Sequence, residues 1–482
     1  MNYRMAFHTI GLVLRYAALA LIAPILIELI NLDGRPLSCI LPFVYAMLIL
    51  VGLSVFLTIK QPEDKTIRAN EGIIVVGVSW IVMALAGALP FIFSGTLGFV
   101  DAVFESTSGF TTTGASVIAD VESLSKGLQF WRCAMHFMGG MGVLMFMLAV
   151  MPNVSAGFMH VMKFESTGTQ PGKLVARVRY TARILYIIYT LLMLLEFLIL
   201  LIGGVGAFDS ICIALSTAGT GGFANLNASI AGYESLFVEL VVMLFMFLFG
   251  VNFTMYFLIF VKRFKEIFKS EELRYYIIIL AVAIISIALL LINTYNNFFT
   301  ALRYSTFQVL AFSSTTGFLT ADVGLWPATA QVILVFMMCM GACAGSTGGG
   351  FKVSRMLLLG KGALATTKNI RSSRGVRMIK MDGKAVSPEM MSTVFGYFVV
   401  YVIIAIIGTL VISFDGFDFT SNFTVTLSCL NNVGPALGNF TSGNLAAYGW
   451  FSKIILSIIM LIGRLEIFPI ILLFSPKTWR NH

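Results

Sequence analysis

Residues 313–318 read SSTTGF, hydroxyl side chains ending on a glycine and a phenylalanine, set between apolar stretches of the kind that cross a membrane. An irregular polar turn at bilayer depth leaves backbone groups unpaired at high cost, so it survives only where it faces protein or water. The same arrangement recurs three times. FTTTGAS (110–116), TAGTGGF (217–223) and LNNVGP (430–435) each follow an apolar span and a shorter mixed stretch. Aligned on Gly114, Gly222, Gly317 and Gly434, four units of span, short segment, turn and span stand 108, 95 and 117 residues apart. That is an internal repeat. A helix of about ten residues is ~15 Å long, half the membrane, so each short segment can enter as a half-helix and return as an extended turn. Four such units around one axis close a ring, and their turns then line water rather than lipid.

The composition agrees with this placement. The chain has 482 residues, 58% hydrophobic and 11% charged, with mean hydropathy +0.92. A soluble domain carries about 25% charged residues, so this is a polytopic membrane protein. Five Trp, 15 Tyr and continuous rather than alternating apolar runs exclude a large transmembrane β-barrel. The net charge of +9 does not ask for nucleic acid. Of the 32 Lys and Arg, 25 lie at Arg4, in 60–71, 151–183, 261–274 and 352–384, and at the C-terminus. This is the positive-inside pattern and predicts both termini on the cytoplasmic side. Six scattered cysteines without C-x-x-C and four isolated histidines give no disulfide framework and no zinc site. The absence of a nucleophile–base constellation or paired carboxylates argues against an enzyme, and no span carries the regularly spaced arginines of a voltage sensor.

About 20 apolar residues cross the hydrocarbon layer. Candidate spans are 10–30, 37–59, 72–95, 128–150, 181–206, 234–262, 274–296, 328–359, 391–413 and 450–474. The expected organisation is an N-terminal two-span unit (1–71), then pore repeats at 72–150, 151–262, 263–384 and 385–482. The third repeat carries the gating loop and a basic cytoplasmic linker. The fold class is all-α, with four span–pore-helix–span repeats around a pseudo-fourfold pore.

A dehydrated monovalent cation must regain its hydration energy from oxygen ligands, and rings of carbonyls with threonine hydroxyls supply them. Glycine just past the threonines permits the positive φ that aims carbonyls at the axis. Half-helix C-termini add partial negative charge. One T-x-G would be read as small-residue packing between spans; four at equivalent places favour a pore.

These TTTGAS, TGGF, TTGF and NNVGP turns, in order and across essentially the whole chain, resemble the superfamily of potassium transporters that contains TrkH, KtrB and the plant HKT proteins. The extra pair of spans before residue 72 is similar to the TrkH branch. The resemblance implies potassium uptake by a homodimer in which each protomer has its own pore. It places the filter, and bound potassium, at Thr112, Thr113, Gly114, Thr220, Gly221, Gly222, Thr315, Thr316, Gly317, Asn432, Val433 and Gly434. Sodium-preferring relatives often carry serine at the first glycine; here it is Gly114. The fourth turn departs from the pattern, with Asn432-Val433 where the others have Thr or Gly and with Pro435 after its glycine.

MGACAGSTGGGFK (340–352) breaks the eighth span, with five glycines between 341 and 350 that each disfavour helix. The break is expected beneath the filter. Gly345, Ser346, Thr347, Gly348, Gly349 and Gly350 match the intramembrane gating loop of TrkH relatives. The same stretch misses a phosphate-binding pattern by one residue, and no strand precedes it. Arg464 lies midway along the tenth span, where a charge needs a cavity or a partner. The sequence favours a positive barrier or a latch on the 340–350 loop over an ion pair with Glu466, since residues two apart on a helix face different ways; the family places a functional arginine here. Glu105, Glu196 and Glu239 are read as interfacial or packing residues. The linker 352–384 has nine Lys and Arg against Asp382 alone. By resemblance, it docks a TrkA-like cytoplasmic nucleotide-binding ring. No nucleotide motif or organic cofactor site is visible in the chain, so energy coupling falls to that partner or to ion gradients. The expected location is the bacterial cytoplasmic membrane. The rivals are a sodium-conducting or weakly selective channel of the same fold, and an ion-coupled secondary carrier.

Overall fold

The computed structural model describes residues 3–30, 37–60, 62, 69–142, 178–371 and 378–479. It is helical throughout, apart from a small hairpin pairing Lys380–Met381 with Lys384–Ala385. The N-terminal unit is α1 (Tyr3–Ala20), α2 (Ile22–Ile30) and α3 (Leu41–Thr58). Then come α4 (Ala69–Phe93), α5 (Phe99–Phe110), α6 (Lys126–Gly140), α7 (Val178–Ile202) and α8 (Ala207–Gly219). The chain continues through α9 (Leu236–Gly250), α10 (Phe253–Phe260), α11 (Phe264–Lys269), α12 (Glu271–Tyr295) and α13 (Phe298–Ser313). The last elements are α14 (Ala328–Met340), α15 (Val353–Arg371), α16 (Pro388–Ile412), α17 (Phe419–Asn431), α18 (Trp450–Arg464) and α19 (Phe468–Leu473).

Helix starts follow local chemistry. Ser125, Ser235, Ser270 and Ser387 precede α6, α9, α12 and α16, and each side chain accepts a bond from a first-turn amide. Such caps satisfy donors that have no partner inside the helix. The short helices α5, α8, α13 and α17 are the four half-helices, 12, 13, 16 and 13 residues long.

Burial inverts the soluble pattern. On α12, Ile278, Val282, Ile285 and Leu289 form an exposed apolar stripe at helical spacing, which suits lipid. The hydroxyl-rich ends of the half-helices are fully buried: Thr107, Ser216, Ser313 and Ser428 are all 0–1% exposed. The long span 71–93 is 72% buried, against 28% for α3, because α1 and α3 cover one side of α4 and α19 packs on another.

Among the described residues, six helical stretches are long and apolar enough to cross a membrane: 3–30, 41–58, 71–93, 182–202, 271–295 and 388–415. The other expected spans differ from the sequence reading. The 234–262 span bends by 89° between α9 and α10. The 328–359 span is α14, a loop and α15, and the 450–474 span breaks between α18 and α19. The 128–150 span is helical to Gly140, and 143–150 lies outside the described residues, as does most of the 151–183 basic segment. Only the third-repeat break was legible in advance, because five glycines mark it. Leu465-Glu466-Ile467 carries no such sign, yet Glu466 and Ile467 both adopt positive φ, at 57° and 65°. Phe468 N–H closes a three-residue turn on the Glu466 carbonyl at 2.7 Å, an unusual and strained turn for a β-branched residue such as Ile467.

Candidate ion pathway

The four turns share one backbone. Two residues before each glycine, Thr112, Thr220, Thr315 and Asn432 have φ of 54°, 54°, 62° and 56°. The glycines themselves lie at 80°, 84°, 71° and 92°. Non-glycine residues rarely hold positive φ, so the same strained step at four equivalent places reflects one shared geometry. Local bonds fix it: Thr113 N–H donates to Ser108 O (2.9 Å), Gly221 N–H to Ser216 O (3.0 Å) and Val433 N–H to Ser428 O (3.0 Å). In the third repeat the bond comes from the glycine itself, Gly317 N–H donating to Ala311 O at 3.0 Å.

The turns meet in cyclic order. A Cβ built on Gly114 would lie 2.0 Å from Gly221 O; on Gly222, 2.1 Å from Thr316 O; on Gly317, 1.9 Å from Val433 O; and on Gly434, 2.6 Å from Thr113 O. Each glycine therefore abuts the carbonyl just before the next repeat's glycine, and the fourth closes on the first. A side chain at any of the four positions would require that carbonyl to shift. Across the last seam, Asn432 Nδ2 donates to Thr113 Oγ1 (3.0 Å) and to Met460 O (3.0 Å). The departure in the fourth turn thus acts as a cross-link.

Most of the threonine hydroxyls are engaged. Thr113 Oγ1 also bonds Thr111, Thr316 Oγ1 bonds Ser314, and Thr220 Oγ1 donates to Gly219 O. Thr112 Oγ1 is buried without a hydrogen-bond partner among the described residues. With these hydroxyls engaged, backbone carbonyls form the contacts between neighbouring turns. On one side Gly114, Gly222, Gly317 and Pro435 border a cavity of about 520 Å³.

On the other side lies the 341–352 loop. It leaves α14 and rejoins α15 through a closed neck, with Phe351, Lys352 and Val353 N–H donating to Cys339, Met340 and Ala342 O at 3.1, 3.0 and 3.2 Å. The tip touches the ring: Gly349 N–H donates to Thr315 Oγ1 at 2.7 Å, and a Cβ on Gly349 would lie 2.3 Å from Asn431 O. The second-repeat break holds one flank, where Cys343 N–H donates to Gly250 O (3.1 Å) and Phe253 N–H to Gly345 O (3.0 Å). Glu272 Oε1 accepts from both ends of the loop, Ala344 N–H at 2.7 Å and Ser354 N–H at 3.1 Å. Lys352 Nζ donates back to Gly348 O. Arg464 Nη1 donates to Thr347 O at 2.9 Å, and Nη2 reaches Gly139 O and Gly140 O, both at 2.6 Å. Arg464 therefore joins the loop to the end of α6, while Glu466 pairs with Arg355 instead.

Sequence reasoning missed several residues here. Glu105, expected only as an interfacial or packing residue, is a fully buried partner of Arg132 at 2.8 Å. Glu239 forms a two-pronged pair with Arg303, both contacts 2.6 Å. Glu196 is fully buried against the second half-helix. A charge inside an apolar run was the available signal, but its partner lies in another segment. His136 was also passed over: its Nδ1 meets Gly109 O at 2.7 Å, and Phe223 N–H donates to Nε2 at 3.2 Å. Its ring stacks on Phe223 at 4.2 Å, buttressing the first two turns from behind.

The same architecture is found elsewhere. Residues 39–481 match the TrkH family, described as a cation transport protein. The Trk system potassium uptake protein TrkH of Salmonella typhimurium is 34% identical over 487 residues, covering 100% of both chains. The TrkH protein of Halomonas elongata is 32% identical over 490 residues, again covering 100% of both. A crystal structure of the potassium transporter TrkH from Vibrio parahaemolyticus matches with a TM-score of 0.88 and 31% identity over 100% of each chain. With end-to-end matches in sequence and in fold, this chain belongs to the TrkH family of cation transport proteins.

Proposed function

We propose that this chain is the potassium-translocating subunit of an uptake system in a bacterial cytoplasmic membrane, with both termini cytoplasmic. The observation that carries this reading is the closed ring of glycines and carbonyls, in which each turn abuts the next. A cation leaves its water at the 520 Å³ vestibule and takes carbonyl oxygens at Thr113, Gly221, Thr316 and Val433 in exchange. The names of the curated relatives, potassium uptake proteins, supply the ion. Glycine at all four ring positions supports potassium over sodium.

The 341–352 loop is the gate. Gly348 and Gly349 stand against the third and fourth turns, so conduction requires the loop to move aside. Arg464 is its latch, because it binds the loop and α6 at once. Helix α15 follows directly and forms the first part of the basic 352–384 segment, which suits docking of a TrkA-like nucleotide-binding ring to a homodimer of this chain. A pull on α15 would reach the loop through its neck.

Reversal potentials of the purified protein in liposomes, under mixed potassium and sodium gradients, test the claim. A potential that follows the potassium gradient is the expected result. Equal permeabilities would establish the weakly selective channel instead, and counterflow without unitary currents would establish a carrier.

A further inference from the structure

Behind the ring stands an ion pair that neither gating nor ligation uses. Glu105 lies nine residues before Gly114 on α5, where the other repeats carry Ile213, Gln308 and Val425. Its carboxylate accepts from Arg132 Nε (2.8 Å), from Ser116 Oγ (3.0 Å to each oxygen) and from Val117 N–H (3.0 Å). Arg132 is 2% exposed and borders the vestibule. It donates to Ala224 O at 3.2 Å and to Ser116 Oγ at 3.3 Å, and its guanidinium carbon sits 4.0 Å from the centre of the Phe223 ring.

The shared hydroxyl belongs to a residue with further duties. Ser116 N–H donates to Gly443 O at 3.0 Å, and Ser116 O accepts from Leu445 N–H at 2.7 Å. One ion pair therefore ties together the strands that leave the first turn (116–117), the second (223–224) and, through Ser116, the fourth (443–445). The third repeat has a neutral counterpart, Gln308, whose Nε2 donates to Thr320 Oγ1 at 3.4 Å.

We propose that Arg132 and Glu105 are positioning residues for ion selection, acting through Ser116 to hold three of the four ring turns in register. The proposal rests on the filter reading above. Carbonyl rings discriminate by the number and placement of their oxygens, and the strands braced here begin within three residues of the Thr113 and Gly221 carbonyls. A tether that shifts these strands changes which cation the ring fits, while the half-helices and the gate remain in place. Truncating one partner of a buried pair also strands the other's charge, here the Glu105 carboxylate behind the vestibule wall that Arg132 borders.

The test compares sodium and potassium permeability in liposomes for the wild-type protein, Arg132→Gln, Ser116→Ala and Gly114→Ser. Loss of hydrogen bonds to a charged group predicts a sodium-to-potassium ratio raised about tenfold in Arg132→Gln and about threefold in Ser116→Ala. Ser116→Ala keeps the ion pair and removes only the shared hydroxyl, so it decides the matter if Arg132→Gln fails to fold. A purely structural pair would lower the yield or heat stability and leave the ratio unchanged. That result, alongside a shifted ratio in Gly114→Ser, overturns the brace and leaves the filter standing. If Gly114→Ser also leaves the ratio unchanged, the filter reading itself falls, and the brace with it.

Discussion

Gly222 concentrates the logic of the ring in one residue. Its φ of 84° is strained for any side chain, and a Cβ would meet Thr316 O at 2.1 Å. A positive φ costs an L-residue roughly 1–2 kcal/mol, and here relief would have to come from moving a carbonyl. Gly222→Ala is therefore expected to lower potassium flux per protein at least about tenfold, with expression and fold retained. Rubidium-86 uptake into proteoliposomes reads this directly; undiminished uptake would mean that the Thr316 carbonyl has no part in the path. The sequence pointed to this glycine through its place in the repeat. It gave no hint that Asn432 would bridge to Thr113, because residues 319 positions apart in sequence share no local pattern. Threonine chemistry is likewise visible in sequence, but which neighbour occupies each hydroxyl is not.

At the scale of elements, the interrupted second helices are what set the pore apart from a bundle of spans. The bend after Gly250 and the ends of the 341–352 loop pack together, and their freed backbone groups bond one another or Glu272; the break at 465–467 follows Arg464, which bonds the loop at Thr347. Residues 340–350 announced their break through glycine content; 465–467 did not, because the strained turn there is imposed by its surroundings. Arg464→Gln removes the bonds to Thr347, Gly139 and Gly140. Hydrogen bonds from a charged donor are worth about 1.5–3 kcal/mol, so basal ion flux in the absence of any partner should rise at least about tenfold. Deleting residues 345–350 should raise it further, and stopped-flow flux that matches the wild type in both variants would exclude the loop as the gate.

Over the whole molecule, the N-terminal unit acts as a clamp on the first repeat. Glu28 of α2 is buried and accepts from Gly127 N–H at 2.5 Å, at the first turn of α6. A carboxyl group in that position caps the helix. Glu28→Ala should lower stability by about 1–2 kcal/mol, seen as a lower melting temperature in detergent, with the sodium-to-potassium ratio unchanged; an altered ratio would mean that the unit takes part in selection. Hydropathy, charge placement and the fourfold recurrence of a glycine turn determined that the chain is a helical membrane protein, which four glycines are equivalent and where the third-repeat break falls. These are local properties, set by the cost of unpaired backbone in lipid and by the few residues that tolerate positive φ. The closure of the fourth turn on the first, the seat of the loop against Thr315 and Asn431, and the pairings of Arg464, Glu466, Arg132 and Glu105 were decided by tertiary structure alone. Each depends on which distant groups the packed repeats bring within hydrogen-bonding distance, and at about 3 Å that choice lies beyond any spacing along the chain.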